Sequence, residues 1–253
     1  QGRHPAPQLV ISMRITLLGT GDAIGTPKIG CSWPQCSQAK KTGTMRLRTS
    51  LLVENEGFHL LVDSSPDLRQ QLLRNGSPHI DAVIWTHGHY DHFMGFGEFY
   101  RIQHIPQVFA PQPVMNYCAE IFRFLTFDKR IIQPYEPFSL FGITITPFLV
   151  RHPPVFTCGF LFETGKSRVG FTSDTNSDIP QKSLDLLGDL DLLLLDALVP
   201  SSITTIHKHM NYLEACMLAE KLKPKDFRCV HQSHLLPWDL PHLGKDGDIF
   251  EFS

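Results

Sequence analysis

Apolar residues are spaced along this chain in short strand-like runs that interleave with stretches of helical period. Arg14 to Leu18 predicts a first strand. Ser50 to Val53 and His59 to Asp63 flank Glu54-Asn55-Glu56-Gly57 and predict a hairpin with its glycine in the turn. Pro66 to Asn75 predicts a helix, with Ser65 placed to cap it, Pro66 in its first turn and Gly76 stopping it. Ala82 to Trp85 is continuously apolar, so it reads as a strand buried on both faces. A short helix over Phe93 to Arg101, a strand over Gln107 to Ala110 and a helix over Pro113 to Leu125 complete the first half. In the second half, strands are predicted at Ile143 to Val150, Thr157 to Glu163, Arg168 to Ser173, Asp191 to Asp196, Arg228 to Val230 and Ile249 to Phe252. Helices are predicted at Pro180 to Leu187 and Asn211 to Leu222. Each sheet needs one face on the other sheet and one face covered, so this order predicts two sheets with helices outside both. The fold class is α/β (α+β), in four αββα layers. No linker separates the halves, so residues 13–253 are expected to form one domain.

Composition changes this picture little. Of the 253 residues, 42% are hydrophobic and 19% charged, an ordinary globular balance. A net charge of −2 argues against a surface that grips a nucleic acid polymer. Six scattered cysteines (31, 36, 118, 158, 216, 229) show no disulfide spacing, and no apolar run has membrane length, so a cytoplasmic protein is expected. Residues 1–12, QGRHPAPQLVIS, lack the apolar stretch of a signal peptide and read as an expression scar or disordered N-terminus.

The chemistry concentrates in DAVIWTHGHYDH, from Asp81 to His92. A rigid buried strand opens into His87, His89, Asp91 and His92. Imidazoles at i, i+2 can converge on one cation, while Asp91 and His92, splayed by the turn, can face a second. Such donors suit zinc, manganese or iron, and a bridged pair of these ions is a recurrent hydrolytic device. His152, Asp174 and His231 each follow a predicted strand, and strand ends converge along one edge of a sandwich. The Gly19, Gly21, Gly25 and Gly30 loop, with Pro27, reads either as a phosphate-binding loop or as tight turning beside a crowded site. It lacks P-loop spacing.

The H-x-H-x-D-H segment and the strand-end residues after it resemble the metallo-β-lactamase superfamily, and in particular its phosphodiesterase branch, the phosphoribosyl cyclic phosphodiesterase (PhnP-like) family. The resemblance runs from about Met13 to the C-terminus. It implies a metallo-β-lactamase-type sandwich with two divalent ions, Zn²⁺ or Mn²⁺ with Fe also suited. His87, His89 and His152 would hold one ion, Asp91, His92 and His231 the other, and Asp174 would bridge both. Asp63 would support the ligand loop by accepting hydrogen bonds behind the imidazoles. His209, in His207-Lys208-His209 before the last helix, resembles the family's non-ligand histidine and is the expected general acid, with Asp91 also counted as catalytic. His207 is the runner-up for the acid, and Lys208 a candidate phosphate contact. In this family the loop around Cys31 and Cys36 carries three cysteines that join a distant histidine on a structural zinc. Here Trp33 stands where the middle cysteine would be, leaving Cys31, Cys36 and His234 for a site that takes four ligands.

The implied activity is metal-dependent phosphodiester hydrolysis, in which a metal-bridging hydroxide attacks a small cyclic or nucleotide-like substrate. A homodimer is the assembly kept open. Three alternatives stand beside it. Thioester or lactam hydrolysis needs an acyl pocket and no acid histidine. A tRNA 3′-processing endonuclease commonly carries an inserted arm. A metal-dependent nucleotide-binding protein without catalysis would keep the ligands and lose the acid.

Overall fold

The computed structural model describes residues 13–252, so the reading of the first twelve residues lies outside the described part. A first sheet contains β1 (Met13–Gly19), β2 (Ser50–Asn55), β3 (Phe58–Val62), β4 (Ala82–Ile84), β5 (Gln107–Pro111), β6 (Lys129–Ile132) and β13 (Ile249–Phe252), in the order β13-β1-β2-β3-β4-β5-β6. The second contains β7 (Phe138–Leu140), β8 (Ile143–Leu149), β9 (Cys158–Glu163), β10 (Arg168–Phe171), β11 (Leu192–Asp196) and β12 (Asp226–Val230), in the order β12-β11-β10-β9-β8-β7.

Side-chain alternation explains why the sheets stack. In β4, Ala82 and Ile84 point into the layer between the sheets, while Val83 and the following Trp85 point out under helices. In β11, Leu192 and Leu194 face inward and Leu193 and Leu195 outward. A continuous apolar run is what a strand buried on both faces requires. Outside the first sheet pack α2 (Leu68–Arg74), α3 (Tyr90–Phe93), a 3₁₀ helix (Met94–Arg101) and α4 (Gln112–Ile121); outside the second pack α5 (Gln181–Leu186) and α6 (Tyr212–Leu222). The architecture is the expected αββα sandwich. Among the described residues no helix is long and apolar enough to cross a membrane.

Several expected elements differ. The stretch from Phe93 to Arg101 is mostly 3₁₀ helix, in a segment that carries Gly95 and Gly97, the least favourable helix residues after proline. Gly95 is required there: a Cβ would stand 1.9 Å from the Ser65 carbonyl oxygen. Ser65 does not cap α2, whose N-cap is Asp67; the Ser65 hydroxyl instead accepts from Asp67 N–H at 3.1 Å and donates to Gln71 at 2.9 Å. The cysteine segment forms an unexpected helix, α1 (Pro34–Thr42), closed by Gly43 in the left-handed region.

Topology sets the site. β3, β4 and β5 run parallel, as do β10, β11 and β12, and β8 is antiparallel to β9, itself antiparallel to β10. The carboxyl ends of β3 and β4 thus meet those of β8, β10, β11 and β12 along one edge.

Candidate metal centre

Three backbone turns at that edge sit in the left-handed region without glycine: Asp63 (φ 61°), Ser173 (φ 54°) and His231 (φ 56°). Each lies at or beside a strand end that delivers a polar side chain, and such strain, of order 1–3 kcal/mol apiece, persists only where the surroundings over-determine it.

Three of the imidazoles, His87, His92 and His152, are oriented from behind. Asp63 is buried at the end of β3; its carboxylate accepts from Thr86 N–H and Thr86 hydroxyl, both at 2.8 Å, and lies 2.6 Å from His92 Nδ1. Because the Thr86 hydroxyl donates to Asp63, it accepts from His87 Nδ1–H at 2.9 Å. His152 Nδ1–H donates to the Lys208 carbonyl at 3.0 Å. These bonds set the ring orientations and aim Nε2 of His87, His92 and His152 inward.

The inward atoms are crowded. His89 Nδ1 is 3.1 Å from His87 Nε2 and 3.0 Å from His152 Nε2, so one proton on His89 could satisfy only one of these contacts. Asp174 Oδ2 stands 3.6 Å from His87 Nε2 and 3.8 Å from His152 Nε2. On the other side the same oxygen is 3.4 Å from His92 Nε2 and 3.3 Å from His231 Nε2, while Asp91 Oδ2 is 3.3 Å from His92 Nε2 and 3.5 Å from His231 Nε2. A tetrahedral zinc with bonds of about 2.0–2.1 Å has ligand-to-ligand edges of about 3.3 Å, so both groups fit a cation. His92 Nε2 and His231 Nε2 are buried with no hydrogen-bond partner, as atoms reserved for an ion would be.

Charge follows the same division. Burial and the neighbouring rings push His87 well below the ordinary histidine value and His89 down to about 4. Burial also opposes ionisation of Asp91 and Asp174, but His92 and His231 outweigh it and hold both carboxyls well below the usual range. Burial dominates at Asp63 and raises it.

His209 joins this cluster without sharing its orientation. Its Nδ1 is 2.7 Å from Asp196 Oδ2, and its ring stacks on His231 at 4.9 Å and stands edge-on to His152 at 4.6 Å. Burial disfavours its charge, and the Asp196 carboxylate more than compensates, raising its pKa. The sequence reading missed Asp196. The available signal was its position closing the apolar run of β11, as Asp63 follows β3. Asp63 and Asp196 add two buried carboxyl groups to Asp91 and Asp174. His207 and Lys208 are exposed, and the His207 carbonyl accepts from Asn176 at 2.9 Å.

Two loop expectations change. Amides of the glycine-rich loop are already committed, Gly21 N–H to Leu47 O at 2.6 Å, Asp22 N–H to Gln232 O at 3.1 Å and Gly25 N–H to Asp22 O at 3.0 Å. A Cβ on Gly21 would stand 2.6 Å from the Arg46 carbonyl oxygen, so close packing explains that glycine and the phosphate-loop reading loses its donors. Cys31, Cys36 and His234 are not among the groups whose ligand atoms lie within 4.8 Å of one another. The thiols accept backbone N–H bonds instead, Cys31 from Trp33 and Cys36 from Lys28, both at 3.3 Å. Trp33, at the place where the related family carries its middle cysteine, is exposed at the start of α1 and brings no ligand.

Residues 59–232, which hold every candidate ligand, match the family model described as a β-lactamase superfamily domain. The chain belongs to the metallo-β-lactamase superfamily. A diphosphatase of the PhnP family has a similar solved structure, at 32% identity, TM-score 0.85 and coverage of 95% of this chain and 97% of that one. Zn²⁺-bound PqqB from Methylobacterium extorquens shares the fold at 20% identity, TM-score 0.81 and coverage of 94% and 99%. Among curated relatives, an octanoyltransferase of Porphyromonas gingivalis is 27% identical over 91% of this chain, which spans only 48% of that protein's length. Its His/Asp clusters lie at the sandwich edge, within the span that the family model matches.

Proposed function

We propose that the chain cleaves a phosphoric diester or diphosphate linkage in a small molecule. His87, His89 and His152 would hold one ion and Asp91, His92 and His231 a second, with Asp174 lying between the two groups, and His209 is the general acid. Two divalent cations there supply Lewis acidity toward a phosphoryl oxygen and lower the pKa of water. Zinc suits the imidazole-rich donor set, and the Zn²⁺-bound relative supports it.

His209 carries the reading. Asp196 takes Nδ1–H, which leaves Nε2 as the ring's other nitrogen, and the ring itself lies against His152 of one ligand group and His231 of the other. The proton goes from Nε2 to the departing oxygen, and Asp196 stabilises the charged ring beforehand and fixes its plane. A thioester, whose thiolate leaves readily as an anion, gains less from such an acid than an alkoxide leaving from phosphorus, and the likeness to a PhnP-family diphosphatase supports phosphorus chemistry. His209→Ala is expected to keep both ions and lose about 10²–10⁴-fold in kcat on a substrate that releases a sugar alkoxide. A nitrophenolate, stable as an anion, should leave with a much smaller loss. Equal losses on both substrates, with metal content intact, would remove His209 from the acid role.

A further inference from the structure

Beside His89 the surface opens into a cavity of about 310 Å³, walled by Gly88, Pro113, Val114, Tyr117, Val155 and Phe156. Apart from His89 the lining carries no ionisable group but the Tyr117 phenol. Tyr117 is 56% exposed and Phe156 37% exposed, whereas Trp85, Phe93 and Phe96 nearby are buried. Both open rings are anchored to the metal loops. Tyr117, on α4, lies against the backbone of Gly88, where a Cβ would come within 2.7 Å of its ring, and meets Phe93 edge-on at 5.9 Å. On the opposite wall, Val155 N–H donates to the His152 carbonyl at 2.9 Å, which ties Phe156 by a tight turn to His152. The rings therefore stand at fixed offsets from two candidate ligands of one ion.

We infer that this cavity is a subsite for a planar aromatic group, a nucleobase or aryl ring, carried by the substrate; the inference rests on the phosphohydrolase reading. Sugar hydroxyls need several hydrogen-bonding partners, and a second phosphate needs a cation. This lining has one phenol and no cationic side chain apart from His89. Its volume, at the lower end for small-molecule pockets, takes a single ring system. Stacking on Tyr117 or Phe156 needs only a π-face, which every nucleobase has. Phosphate goes to the metal edge and the ring to the cavity, with the ribose or a similar spacer between them.

The test compares a methyl ester of a nucleoside diphosphate with the matching ribose diphosphate ester that lacks the base. The zinc-loaded protein is expected to show a KM about tenfold lower for the base-bearing ester. That ratio should collapse toward one in Phe156→Ala and persist in Phe156→Tyr. Tyr117→Ala serves as a second arm, with zinc content checked because Tyr117 packs on Gly88. Calorimetry with adenosine monophosphate and ribose 5-phosphate gives a readout free of turnover. If neither ester is cleaved but the nucleotide binds about tenfold more tightly in a Phe156-dependent way, the subsite stands and the hydrolysis reading falls. Cleavage of both esters with equal KM, or a ratio unchanged in both alanine variants, overturns the subsite.

Discussion

Asp174 Oδ2 lies between 3.3 and 3.8 Å from the Nε2 atoms of four histidines, within reach of both candidate cation positions. Asp174→Ala should therefore empty both, whereas His89→Ala should leave about one ion per chain on Asp91, His92 and His231. Elemental analysis of the two variants checks this, and equal metal loss in both would refute the asymmetry. Asp196 acts at one remove. Asp196→Asn should retain both ions yet lower kcat by about 10²-fold on alkoxide-releasing substrates, and combining it with His209→Ala should add little further loss. Full additivity would show that Asp196 does not work through His209. The residues that cluster at the edge were legible in the sequence because H-x-H-x-D-H is local and sits after an unmistakable buried strand. Asp196 was not, since its partner lies 13 residues away across a loop and only the parallel pairing of β10, β11 and β12 brings strand ends together.

At the scale of elements, long runs of strand or helix period were readable and short, exposed or glycine-containing ones were not. β11 and α6 came through because four consecutive leucines and the Asn211/Glu214 capping box are strong local signals. β6 and β7 were missed: β6 has three of its four residues exposed, and β7 has only three residues. α4 ends at Ile121 rather than Leu125, where Phe122 leaves the helix to stack under Trp85 at 6.2 Å. The 3₁₀ helix after the metal loop depends on Gly95 for its contact with Ser65. Gly95→Ala should cost about 1–3 kcal/mol through that clash and lower Tm, with Gly97→Ala, whose Cβ would meet only Phe122 at 3.5 Å, as the mild control. Equal effects at the two positions would show that backbone entropy, not the contact, sets the cost.

The whole molecule places its apolar mass in three layers and most of its buried ionisable groups along one edge, while a half-buried carboxyl, Asp246, stands apart. Asp246 accepts from Thr20 N–H at 2.9 Å, the Thr20 hydroxyl at 2.8 Å and Leu47 N–H at 2.8 Å, yet burial raises it to about 6 from 3.8. A carboxyl with a raised folded pKa contributes stability that is full below about pH 3.8 and is lost as pH rises through about 6. Denaturant unfolding of Asp246→Asn should accordingly show a flatter stability profile than the native chain across that window, and an unchanged slope would contradict the assignment. At the opposite extreme of consequence stands the dinuclear edge, from which the proposed chemistry follows. Its most direct test is activity against metal added back. After exhaustive chelation, hydrolysis of a bis-aryl phosphodiester should vanish and return with zinc or manganese until about two equivalents per chain are bound. Full activity in the chelated protein, or saturation well short of two equivalents, would contradict the account.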